Sequence, residues 1–143
     1  MKQRVSLNVV TLILGIACVV ASIQCGLTVR DTIRVTAVSV ATAVLDVDNA
    51  ERDLYAAGAY DAAMHKKLGA VILHALEAAK VYVVAAQSWP EHFAMPSTVP
   101  QAMADALKAL DAVKDALTGI KGTEKLLANV DRAKNFISGG DKR

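Results

Sequence analysis

Apolar residues crowd the chain from Val5 to Val29, and from Ile33 onward they recur instead at helical spacing. The run VSLNVVTLILGIACVVASIQCGLTV holds no charged residue; Lys2 and Arg4 precede it, and Arg30 and Arg34 follow it. A helix over residues 5–29 would rise about 37 Å at ~1.5 Å per residue, enough to cross a hydrocarbon core of ~30 Å. The pattern predicts an N-terminal anchor over residues 1–29. An uncleaved transmembrane helix fits its length better than a secretory signal, whose apolar region is shorter and ends at a small-residue site. Two other readings stay open: cleavage near Ala21, and lipidation at Cys18, which follows Leu14, Gly15, Ile16 and Ala17 in a lipobox-like arrangement.

Beyond the anchor the polar and apolar positions spell out helices over about 31–58, 61–87, 99–118 and 123–137. In the first, Ile33, Ala37, Val40, Val44, Val47 and Leu54 follow a 4-3-4-3 pattern that Glu51 interrupts, so this helix is expected to run on from the membrane span. Alternation at Ile33, Val35 and Ala37 would also describe a short strand, but helix accounts for more of the segment. Gly58 offers a stop, and Asp61 is placed to cap the next helix.

The second helix shows a stripe of Met64, Leu68, Val71, Ala75, Ala78, Tyr82 and Ala85, widened by Ile72, Leu76, Ala79 and Val83. Residues 69–86 are nearly apolar enough for a second span. His74, Glu77 and Lys80 argue against it, because a charge at a membrane helix centre costs about 2.5–3.5 kcal/mol. A buried core helix is expected there. Trp89-Pro90 and Met95-Pro96 then break the periodicity.

Thr98 and Gln101 form a capping-box pattern for the third helix, which carries Val99, Met103, Ala106, Leu110, Val113 and Leu117 on one face. Asp105, Lys108, Asp111 and Lys114 line the other as a solvated charge ladder. Leu126, Val130, Ala133 and Ile137 repeat the pattern in the fourth helix. Residues 138–143 read as a flexible tail. The fold class is all-α: one N-terminal transmembrane helix followed by a small three- to four-helix bundle.

Composition agrees with this and narrows the function. The 143 residues are 54% hydrophobic but only 4% aromatic, as suits helices packed through small side chains. Sixteen basic and 14 acidic residues are spread evenly, so nothing like a phosphate-tracking stripe appears and nucleic acid is not an expected partner. The slight excess of positive charge before the span favours an N-terminus in the cytoplasm and the domain outside it, in the periplasm if the host is Gram-negative. Cys18 and Cys25 both lie in the anchor, with Cα atoms roughly 10 Å apart if helical, which excludes an intrahelical disulfide. Cys18, Ser22 and Gly26 repeat small residues every fourth position, a pattern that lets two such helices approach closely.

Candidate chemistry is sparse. His74 and Glu77 share one helix turn, in the reverse order and without the duplication of a dimetal carboxylate bundle, and His65 and His92 lie on other surfaces. The stretch from Asp46 through Asp48 and Glu51 to Asp53 gathers carboxylates, lacks the glycine of a calcium loop, and is expected to be a solvated face paired with Lys66 and Lys67. No phosphate loop, catalytic carboxylate pair or nucleophilic triad is legible, so neither a cofactor nor a small-molecule substrate is expected. Trp89, His92, Phe93 and Met95 are the one cluster of bulky residues in a connection; they either plug the end of the bundle or, through Trp89 and Phe93, anchor at a membrane interface.

LYAAGAYDAAM from Leu54 to Met64, the HKKLGA that follows, and ALEAAK from Ala75 to Lys80 resemble small helical proteins encoded by bacteriophages and prophages. Over residues 5–87 this resemblance implies a viral or prophage origin and no particular activity. The expectation is a non-enzymatic, membrane-anchored interaction or structural protein at the cell envelope or in a virion, with the bilayer and either itself or other envelope or virion proteins as partners. A holin-like, membrane-permeabilising protein with a single span is the alternative.

Overall fold

The computed structural model describes residues 28–139, and these form helices and turns with no strand among them. In chain order the helices are α1 (Val29–Ala56), α2 (Ala62–Gln87), α3 (Thr98–Leu117) and α4 (Glu124–Ser138). By contact the chain divides into Met1–Thr32 and Ile33–Arg143. The anchor expected over residues 5–29, with Cys18, Ser22 and Gly26, lies almost wholly outside the described residues.

α1 begins with a cap of its own. The Thr28 hydroxyl donates to Asp31 Oδ2 at 2.7 Å, and the Asp31 amide donates back to Thr28 Oγ1 at 3.2 Å. The pair satisfies one of the first-turn amides that a helix leaves without an internal acceptor, that of Asp31. α1 therefore starts at Val29, where the sequence pattern anticipated a helix continuing from the preceding segment. Its other end closes at Gly58, whose φ of 76° is one that only glycine adopts without strain. The Ala59 amide reaches the Leu54 carbonyl and the Gly58 amide the Tyr55 carbonyl, the paired bonds of a Schellman turn. Asp61 caps α2 by accepting from the Met64 amide at 2.8 Å.

At α3 the capping-box expectation fails. The cap residue is Ser97, in helical conformation and without a side-chain bond. The Pro96 carbonyl takes the Val99 amide, Pro100 has no amide to satisfy, and the Gln101 side chain turns outward to Asp105. Thr123, ahead of α4, is also not a side-chain cap; its buried hydroxyl is shared between the carbonyls of Leu117 and Ile120 and ties the α3–α4 turn together.

Successive helices run antiparallel. Arg34, near the start of α1, meets the end of α2, and Glu51, near the end of α1, meets the start of α2. Lys114 of α3 pairs with Asp131 of α4 at 2.7 Å, and Lys134 of α4 with Asp111 of α3. These bonds cross between helices, where the sequence implied a ladder along α3 alone. The Asp131 carboxylate holds the Lys114 ammonium above its usual pKa.

All four helices contribute to a single core. α2 supplies Leu68, Ile72, Ala75, Ala79, Tyr82 and Ala86, and it meets Ala37, Val40, Val44 and Val47 of α1 and Val99, Ala106, Leu110 and Val113 of α3 in the same cluster. The many alanines let helix axes approach closely, and Tyr82, Leu68 and Ile72 fill the volume between. Among the described residues α2 alone is long and apolar enough to cross a membrane. In this structure it packs as the core helix, with His74, Glu77 and Lys80 exposed on its outer side.

Candidate functional site

The α1–α2 hairpin is pinned by polar groups at both ends and leaves an apolar groove between them. At its proximal end, where α1 begins, the Arg34 guanidinium donates to three carbonyls. Nε reaches Ala86 at 3.1 Å, and Nη2 reaches Gln87 at 2.8 Å and Trp89 at 2.9 Å. The first two are the last carbonyls of α2, which have no partner within the helix, and the third lies just beyond its cap; a cation there also faces the negative end of the helix dipole.

The same contact fixes the connection to α3. The Trp89 indole is 7% exposed, and its N–H donates to the Phe93 carbonyl at 2.9 Å. His92 takes a left-handed φ of 65° to close that turn. A non-glycine residue in this region bears strain of about 1–2 kcal/mol. Of the two residues read as an interface anchor, Trp89 is thus withdrawn into the bundle, because its large ring gains more from burial. Phe93 is turned outward and 70% exposed.

The distal end carries a polar cluster that the sequence pattern did not reveal. Glu51 is 1% exposed. Its Oε1 accepts from the Tyr60 hydroxyl at 2.8 Å and lies 2.9 Å from His65 Nδ1. The Tyr60 hydroxyl also lies 2.8 Å from the Glu51 carbonyl, and the Tyr55 ring stacks on the His65 imidazole with centroids 3.9 Å apart. Burial, reinforced by the adjacent Glu51 carboxylate, pushes the Tyr60 hydroxyl well above the usual tyrosine pKa.

This corrects the reading of residues 46–53 as a solvated acidic face. Asp46 and Asp53 are exposed, but Glu51 falls on the buried stripe of α1 one turn after Val47, and there it needs hydrogen-bonding partners. It is His65, not the exposed Lys66 or Lys67, that meets it. The signal present in the sequence was the position of Glu51 in the apolar repeat, with a tyrosine and a histidine just across the turn.

Between the pinned ends lies an open groove of about 450 Å³ lined by Ala41 and Leu45 of α1 and Leu73, Leu76 and Val83 of α2, with Glu77 and Lys80 at its rim. Leu45 and Leu73 are each at least half exposed. A second groove, between α2 and α3, brings His74 and Glu77 to the same surface as Asp105 and Lys108. Among the described residues no three His, Cys, Asp or Glu side chains come together as metal ligands.

The described residues thus define an all-α protein of four antiparallel helices whose buried polar side chains tie helix ends and turns. Compared with protein families, with curated proteins and with solved structures, the chain finds no match.

Proposed function

We propose that this chain is a non-enzymatic, membrane-anchored helical interaction protein, of the kind that phage and prophage genomes encode, acting at the cell envelope or in a virion. The observation that carries the reading is the disposition of polar groups. Arg34, Glu51, Tyr60, His65 and Thr123 are all engaged in holding helix ends and turns, while the groove left open on α1 and α2 is lined chiefly by aliphatic side chains. Catalytic sites converge several polar groups in a sheltered pocket, whereas His74, Glu77, Asp105 and Lys108, which share the other groove, are all exposed. An aliphatic groove suits a protein contact.

The anchor rests on the charge-free run from Val5 to Val29, with the helical domain outside the cytoplasm as the charge bias favours. Flotation of the full chain with lipid vesicles tests it: co-migration with the vesicles is expected, and a chain that stays at the bottom of the gradient without detergent would refute it. Collapse of the membrane potential on expression would instead identify a permeabilising protein.

A further inference from the structure

We propose that the turn from Pro90 to Pro96 is a second membrane contact, which lays Phe93 and Met95 into the headgroup boundary of the leaflet next to the bundle. The inference rests on the anchored reading above and adds to it a lipid-facing surface on the domain itself.

Three observations carry it. The first is position: the Arg34 guanidinium holds the Trp89 carbonyl at 2.9 Å, so this turn lies at the end of the bundle where the chain arrives from its charge-free run. Arg34 stands only five residues beyond Val29, a rise of about 7.5 Å in a helix, which is comparable to the depth of one headgroup layer.

The second is exposure. Phe93 is 70% and Met95 45% exposed in a connection whose other bulky ring, Trp89, is buried. Val35 and Val38 of α1, near Arg34, and Val84 of α2, one turn before Gln87, are also exposed. Large apolar side chains are exposed farther along the bundle too, at Leu45 and Leu73, but this end holds Phe93, the most exposed of them, and an interfacial surface requires such a group.

The third is rigidity. The indole N–H on the Phe93 carbonyl, the left-handed His92 and the Arg34 clamp hold the backbone of the turn at Phe93, so little main-chain ordering is left to occur on contact. The occupant is therefore lipid, because the segment that reaches this end is itself of bilayer-spanning length.

The test uses the full chain in vesicles of phosphatidylcholine and phosphatidylglycerol, with Cys18 and Cys25 replaced by alanine and a nitroxide label on Phe93→Cys, on Met95→Cys or, as distal reference, on Ala57→Cys. Flotation is measured first, then label accessibility to oxygen relative to a water-soluble nickel chelate. Labels at 93 and 95 are expected to show an oxygen-to-nickel ratio several-fold above that at 57. Equal ratios at all three sites in a chain that floats would overturn the lipid contact and leave the anchor standing. A chain that does not float would overturn both. All three positions are exposed, so the labels leave the core intact.

Discussion

Nδ1 of His65 stands 2.9 Å from Oε1 of Glu51, so a partly exposed imidazole closes the outer side of a carboxylate that is 1% exposed. A carboxylate in that position depends on its donors, because desolvation without a partner costs more than a hydrogen bond returns. Removing the imidazole should thus matter in proportion to the charge it faces. His65→Ala is expected to destabilise the domain by about 1–3 kcal/mol, and by distinctly less in a Glu51→Gln background. Urea titrations of the four chains in this cycle measure the difference, and equal costs in both backgrounds would mean the two residues are uncoupled.

Alkaline pH should probe the same cluster through Tyr60. Its pKa is raised in the folded state, first by burial and then by its bond to Glu51, so the folded chain keeps a proton that the unfolded chain releases near pH ~10. The stabilisation is fully present below that pH and declines as pH rises toward the folded value. Stability followed from pH 8 to 12 is expected to fall above about pH 10, and Tyr60→Phe should lessen this decline, the rest of it belonging to Tyr82 and Lys114, whose pKa values are also raised, while lowering stability at pH 8 by about 1 kcal/mol.

Arg34 binds three carbonyls at and just beyond the end of α2, a geometry a single ammonium cannot reproduce. Arg34→Ala should cost about 1.5–3 kcal/mol, and Arg34→Lys should recover only part of it. Hydrogen exchange locates the effect: protection should drop over the last turn of α2 and at the Trp89 indole, with the start of α2 unaffected.

The alanines of α2 should be intolerant in a way their size conceals. Ala79 is 1% exposed between neighbouring helices, and Ala79→Leu is expected to destabilise by about 1–3 kcal/mol through overpacking. Leu73→Lys, on the open groove, should leave stability within about 0.5 kcal/mol. Thermal unfolding of the two variants side by side checks the contrast; if Ala79→Leu were neutral, the helices would be less closely packed than described.

Much of the helical layout is legible in the apolar repeat, because burial on one side of a 3.6-residue helix leaves that period in the sequence. The Asp61 cap and the Gly58 stop are legible for a local reason: each depends on a few neighbouring amides and carbonyls. Where two local solutions compete, reading becomes unsafe. Thr98 and Gln101 match the capping-box pattern, yet the Pro96 carbonyl and the Gln101–Asp105 bond settle that end differently.

Sequence by itself determined the apolar run from Val5 to Val29, the helical periodicity after it and the small side chains that make close packing feasible. Only the tertiary structure decided which polar groups go inside. Glu51 looked solvated because its neighbours Asp46 and Asp53 are, and it is buried because Tyr60 and His65 return across the turn to meet it. Trp89 and Phe93 looked equivalent, and the fold buries one and exposes the other. The reason is common to both cases. A helix period records the direction a side chain faces, whereas the partner that makes burial tolerable lies on another segment, at a distance the chain sets only when it folds.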